Sequence, residues 1–291
     1  MKKSIFILSL LFVTQVDAKK LFESSRIINA HSTELLERGI LDFRITHKFG
    51  DIGGSNGGFH TLYGLDNASD IRIAFEYGLS NSINLGLGRS KGVFIPELFD
   101  GFLKYSPITQ GDKYPFSLTW ISSIAITATK SASIENSLHS FENTKQRLSY
   151  IHELLLATKL KNWLSVQTMG LHSYRQLVFD TDQNNLLSVG LGARFRLSKV
   201  VAVLLDYYHT FSNQNRSFNS FTPRNPWGLG LEINTGAHTF FINVTNAQGI
   251  TENEFIPYTI SQFNNGEYRL GFTISRPFRI AKNKSLAKDK K

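Results

Sequence analysis

The sequence predicts an all-β fold: a transmembrane antiparallel up-and-down β-barrel of about 12 strands, with short periplasmic turns and longer extracellular loops. Three observations predict it. Apolar and polar residues alternate with a period of two through most of the chain, the mark of strands with one apolar and one polar face. The connections between these stretches alternate long and short, as in outer-membrane barrels, whereas a soluble sandwich has no reason to keep that parity. Glycines gather on the polar parity (Gly78, Gly86, Gly88, Gly190, Gly192, Gly228, Gly230, Gly271), where they relieve crowding in a narrow lumen and permit curvature.

The bulk properties agree. A chain of 291 residues is long enough to close a barrel, and 41% hydrophobic content is too high for wholesale disorder. No run of 18 apolar residues occurs in the body of the chain, so no transmembrane helix is expected. The 12% aromatic content suits interfacial girdles. The absence of cysteine excludes disulfides and thiolate metal sites.

Taken in order, residues 1–18 read as a secretory signal peptide. Lys2 and Lys3 form the basic start, residues 5–13 a short apolar core, and Val16-Asp17-Ala18 the cleavage end. Residues 19–39 form a periplasmic lead-in or a piece that tucks into the barrel, with helix-forming residues around Ser32 to Arg38. The barrel itself is assigned to residues 40–279.

The first strand sets Leu41, Phe43, Ile45 and Phe49 against Asp42, Arg44, Thr46 and Lys48. After a glycine-rich loop, the second sets Ile71, Ile73, Phe75 and Tyr77 against Arg72, Ala74, Glu76 and Gly78, and a tight turn leads to Ile83, Leu85 and Leu87. The fourth carries Leu103 and Tyr105 opposite Phe102 and Lys104, the fifth Trp120, Ile124 and Ile126, and the sixth Tyr150, His152, Leu154 and Leu156 opposite Glu153. Residues 163–176 form the seventh, weakest by pattern. The eighth is the clearest, with Leu187, Val189, Leu191, Ala193 and Phe195 opposite Gly190, Gly192, Arg194 and Arg196. Val201 to Tyr207, Trp227 to Ile233, Phe240 to Val244 and Tyr268 to Phe278 supply the last four, with Asn234-Thr235-Gly236 as a hairpin turn. Residues 280–291 form a basic tail, read as a solvated end.

The motifs His47-Lys48-Phe49-Gly50-Asp51-Ile52, Tyr63-Gly64-Leu65-Asp66, Ile71-Arg72-Ile73-Ala74-Phe75-Glu76-Tyr77-Gly78, Gly86-Leu87-Gly88-Arg89-Ser90 and Asp100-Gly101-Phe102-Leu103-Lys104-Tyr105 resemble those of an uncharacterised bacterial β-barrel family, domain-of-unknown-function family 5777. So do Arg147-Leu148-Ser149-Tyr150-Ile151-His152 and Leu191-Gly192-Ala193-Arg194. The resemblance implies an outer-membrane barrel and supplies no substrate or catalytic residue.

In such a barrel the apolar parity faces lipid and the polar parity the lumen. The lumen-lining charged candidates are Arg44, Lys48, Arg72, Glu76, Lys104, Glu153, Arg194, Arg196, Glu232, Glu267 and Arg269. Both signs are interleaved. They either pair into a network that rigidifies the interior or form a selectivity lining for a small polar or anionic solute. The loop with Asp51, Gly53, Gly54, Asn56 and Gly57 lacks the Lys-Ser/Thr end of a phosphate loop and is placed at the barrel mouth. The eight histidines form no ligand pair of metal-site spacing and no catalytic signature is present, so no metal, no cofactor and no enzyme activity are expected, with an enzyme embedded in the barrel kept as a distant alternative. The net charge of +9 lies partly in the two ends, and no nucleic-acid module accompanies it. The expectation is a monomer in outer-membrane lipid: a narrow channel or transporter for small polar solutes, or a non-conducting barrel that binds a ligand or partner.

Overall fold

A computed structural model describes residues 20–111, 113–133, 137–179, 181–212, 216–217 and 221–281. The signal peptide read over residues 1–18 and the basic tail beyond residue 281 lie outside the described residues. Twelve strands close into one barrel: β1 (Ile40–Asp51), β2 (Ala68–Gly78), β3 (Ile83–Lys91), β4 (Leu98–Ile108), β5 (Ser117–Thr127), β6 (Leu148–Lys161), β7 (Leu164–Arg175), β8 (Asn185–Arg196), β9 (Val201–Phe211), β10 (Trp227–Asn234), β11 (Thr239–Thr245) and β12 (Arg269–Arg279). Each pairs antiparallel with its sequence neighbours, and β1 closes on β12 with Ile45 opposite Ile274. Closure leaves no unpaired edge, which lipid would not tolerate.

The alternation becomes an inside-out burial pattern. Leu191, in mid-strand, is 60% exposed, while Lys104 is fully buried and Asp206 with it. Apolar side chains therefore face outward and charged ones inward, the arrangement of a barrel whose outer solvent is hydrocarbon. Register shifts fall near strand ends, at Lys48/Phe49 in β1, Tyr105/Ile108 in β4 and Lys159/Lys161 in β6, where bulges commonly bend a rim.

Three details differ from the sequence pattern. The connection after β3 is short (residues 92–97), because β3 runs on to Lys91 and β4 starts at Leu98. The outward positions near that end of β3 are Arg89 and Lys91, which hide the strand from an apolar-alternation reading. The helix expected near Ser32 to Arg38 does not form. Residues 20–36 follow an irregular path with one bridge, Arg26 to His31, and beyond a few internal bonds, such as Ser32 N–H to the Ser25 carbonyl, their backbone groups bond to barrel side chains. Of the two positions open to this segment, it occupies the one inside the barrel. The third is a short helix in the connection after β11, α1 (Glu252–Tyr258).

A cation placed on the outward face at mid-barrel must enter hydrocarbon. Leu191→Arg is expected to destabilise the protein by about 2–4 kcal/mol in denaturant unfolding from lipid vesicles. Gln167→Ala, on the inward face, is expected to leave vesicle insertion unchanged.

Candidate functional site

The interior of the barrel is filled by two pieces of the chain, residues 20–36 and the connection from residue 246 to 261 that contains α1. Asp206 on β9 is the anchor for the first. Its carboxylate accepts the backbone N–H groups of Ile28 (3.0 Å), Asn29 (2.6 Å) and Ala30 (3.0 Å) and the Asn29 side-chain amide (2.9 Å). Such charge-assisted bonds satisfy a buried anion and three backbone donors at once. The close approach needs missing side chains on the wall. A Cβ at Gly228 would sit 2.7 Å from Ile28 and 2.9 Å from Asp206, and one at Gly192 would sit 2.5 Å from Ile27.

Other inward side chains grip the same segment. Lys104 donates to the carbonyls of Ser25 (3.0 Å) and Glu34 (2.8 Å). Lys48 donates to Asn29 Oδ1 (2.9 Å) and to the Gly249 carbonyl (2.6 Å), so it ties the two filling pieces together. Glu76 accepts from the Ser25 hydroxyl (2.6 Å) and Arg44 donates to Ser24 Oγ (2.7 Å). Gln167 accepts the Thr33 N–H and donates to the His31 carbonyl.

Within the segment, Arg26 pairs with Glu252 of α1 (3.0 Å) and donates to His31 Nε2 (2.8 Å). Burial, with Arg26 beside it, holds the His31 pKa well below the usual imidazole range, which suits a neutral ring that accepts. Burial pushes the Glu34 carboxyl up, and the N–H groups of Leu21 and Phe22 that it accepts oppose this.

The second piece closes the opposite mouth. α1 begins with a capping box, in which Thr251 and Glu254 satisfy each other's backbone and side chain. Phe255 and Ile256 are buried, with the Phe255 ring 5.7 Å from Tyr208. Asn253 donates to Ser149 (2.9 Å). Above it, Asp182 accepts from both Arg175 (2.8 Å) and Arg216, and Arg216 donates to the Pro257 carbonyl (2.7 Å). Burial raises the Asp182 pKa, but the two guanidinium groups outweigh it and hold the carboxyl below its ordinary value.

The interior wall is two-sided. Ile121, Ile151, Leu155, Met169, Leu171 and Leu186 also face inward, and with Tyr208 they pack against Ala30, Phe255 and Ile256. Arg72 and Asp100 pair within the wall, as do Arg194 and Glu232 (2.7 Å) and Arg44 and Asp42 (3.1 Å). Glu153 accepts from the Tyr208 hydroxyl (2.7 Å) and Arg269 pairs with Asp51 (2.9 Å). Two expected positions fall elsewhere. Arg196 is exposed at the end of β8. Glu267 precedes β12 and accepts from Gln262 N–H (2.7 Å), because the chain turns through residues 262–266 before the strand starts.

The glycine-rich loop folds on itself at the end of β1. Gly57 donates to the Gly54 carbonyl and Gly58 to that of Ile52, and Gly53 donates to Gly266 in the last long connection. Asn56 is exposed. Residues 246–261 fill the mouth itself. That connection shows no strand alternation, and its one sequence signal is the capping box Thr251-x-x-Glu254.

The spaces left are unequal. A cavity of about 260 Å³ opens at the turn end between Lys20, Glu23, Glu34, Asp42 and Arg44. Deeper, between Arg26, Arg44, Lys48 and Arg72, about 10 Å³ remains, room for roughly one water.

A family model described as a membrane bound beta barrel domain (DUF5777) matches residues 22–278. Among solved structures, the KdgM porin covers 82% of this chain and 99% of its own at 9% identity and a TM-score of 0.50. An outer membrane channel from Pseudomonas putida F1 covers 85% and 98% at 11% identity and a TM-score of 0.49. The NanC porin covers 81% and 97% at 11% identity and a TM-score of 0.47. Likenesses at such identity concern the fold alone. No curated protein matches the chain.

The closing connection carries a pH dependence. Burial and the nearby Asp70 push the Glu254 carboxyl up from 4.5 to about 7. An acid whose folded pKa lies above its unfolded value binds its proton more tightly when folded. Its stabilisation is therefore full below about 4.5, declines as pH rises, and is gone above about 7. Amide exchange across residues 250–258, corrected for intrinsic rate, should be slower at pH 5 than at pH 8. Glu254→Gln, which keeps the capping geometry, should remove the difference.

Proposed function

The chain belongs to the DUF5777 family of membrane-bound β-barrel domains, and from that premise we propose that it serves in the outer membrane as a narrow, gated path for small polar solutes. The observation that carries the reading is the interior wall. Arg44, Lys48, Arg72, Lys104, Arg194 and Arg269 alternate there with Asp42, Glu76, Asp100, Glu153, Asp206 and Glu232 around a segment that belongs to no strand. A barrel that only anchored itself in lipid could fill its interior with apolar side chains at no greater cost, since even a buried ion pair rarely outweighs its own desolvation.

The balance of signs favours a small solute without strong net charge over a polyanion. Residues 20–36 act as the gate. Polar bonds to the wall hold much of this segment, and such bonds can be exchanged for bonds to water or solute at modest net cost. The role is passage rather than catalysis, in a monomer surrounded by outer-membrane lipid. A second reading, a non-conducting barrel, is favoured by the apolar inward patch around Ile151, Leu155 and Tyr208. That patch packs the filling pieces as a core would.

Planar-bilayer recording separates the two. The full chain is expected to show rare, brief unitary openings. Asp206→Asn weakens the anchor on residues 28–30 and should raise the open probability about tenfold or more. Deletion of residues 21–34 should give long openings with weak ion selectivity. Silence in all three proteins, each shown to be inserted, would sink the channel reading and leave the non-conducting one.

A further inference from the structure

Charged side chains are rare on the lipid-facing wall, and they are not scattered. Among the described residues, the charged side chains on the outward parity of the strands are Arg89 and Lys91 on β3 and Arg276 on β12. Arg276 lies at the turn end, its guanidinium 4.8 Å from the Phe278 ring. Arg89 and Lys91 lie at the opposite end, two residues apart, which is about 7 Å along a strand. At that end the other strands present neutral aromatics outward, such as Tyr150, Tyr174 and Tyr207. Charge on a lipid-facing strand is tolerable only near the headgroups, and there a cation attracts anionic lipid.

A groove lies against the two cations, which help to line it. It measures about 350 Å³ and is lined by Ile71, Ile73, Phe75, Leu87 and Phe99. Its shape follows from the register. Ile73 stands opposite Arg89 and Phe75 opposite Leu87, and on the far side Leu87 stands opposite Gly101, which contributes no side chain. Arg89 leans away from Ile73 towards β4, its guanidinium 5.6 Å from the Phe99 ring and 3.8 Å from Glu97. That lean leaves the space open. The Arg89–Glu97 pair is half exposed and long, so it is weak and exchangeable. Lys91 has no hydrogen-bond or ion-pair partner among the described residues. His47, opposite Ile71 on β1, completes the row that carries Lys91.

We propose that this face is a binding site for a phosphorylated, multiply acylated glycolipid of the outer leaflet, of the lipid A type. Arg89 and Lys91 take the phosphate, and the Ile73–Phe75–Leu87 groove takes an acyl chain. Charge complementarity names the occupant: two cations at headgroup level, at the outer end of an apolar channel that runs on past Phe75 and Leu87, match a lipid with its phosphate outside and its hydrocarbon within. The proposal rests on the outer-membrane reading for the kind of lipid available and not on conduction, so a silent barrel would leave it standing.

Native mass spectrometry of the full-length protein in detergent with added bisphosphorylated lipid A tests it. One lipid A per barrel should be retained. The Arg89→Gln/Lys91→Gln double variant should bind about tenfold more weakly or worse. Arg276→Gln should bind as the parent does, and lipid A stripped of its phosphates should bind the parent as weakly as the double variant binds lipid A. Heat-modifiable gel migration verifies that each variant is folded. Equal retention by the double variant, equal binding of the dephosphorylated lipid, or an equal loss in Arg276→Gln would overturn the site.

Discussion

A carboxylate inside a barrel has to find donors, and Asp206 finds them in the backbone of residues 28–30. Much else in the interior follows from this. An irregular segment at membrane depth is tolerated only where protein satisfies its backbone, and Asp206 supplies three acceptor bonds where no helix or strand does. Lys104 and Gln167 complete the accounting for Ser25, His31, Thr33 and Glu34. Gly192 and Gly228 clear the wall so that the segment can come close. Remove the anion, and three N–H groups and the Asn29 amide lose their shared acceptor together.

The same arrangement explains how the barrel can be both stable and poised. One half of the wall is apolar and packs Ala30, Phe255 and Ile256. The other half is charged and holds its partners through bonds that water can replace. Lys48 touches both filling pieces, through Asn29 and Gly249, and Arg26 links the first piece to Glu252 in the second. Movement of either piece therefore disturbs the other, which is what the proposed gate requires. The remaining space fits this picture, wide between Glu34 and Arg44 and no larger than a water between Arg26 and Arg72.

The wall was largely legible in the sequence, because lipid on one side and polar groups on the other impose a period of two that composition cannot hide. Leu187 to Phe195 declares its strand without help. The end of β3 was hidden because Arg89 and Lys91 face outward against that rule. The filling of the interior was much less legible. Residues 20–36 carry helix formers such as Glu34, Leu35 and Leu36, yet Lys104 and Gln167, distant in sequence, compete successfully for their backbone. The apolar inward residues held a clue: Ile151 and Leu155 share the parity of Glu153, which a water-filled bore would not explain. Arg196 and Glu267 share the polar parity too, but they lie at or beyond strand ends, where parity no longer sets direction.

Residues 20–36 sit inside the barrel, held by Asp206. The chain has no cysteine, so Ala30→Cys introduces a single thiol at a fully buried position. Its labelling by a membrane-impermeant maleimide, in protein reconstituted into vesicles permeabilised to the reagent, measures that placement directly. The account predicts strong protection in the otherwise native chain, and labelling that accelerates about tenfold or more when Asp206→Asn is added. Labelling of Ala30→Cys as fast as that of Asn56→Cys in the exposed loop would contradict it.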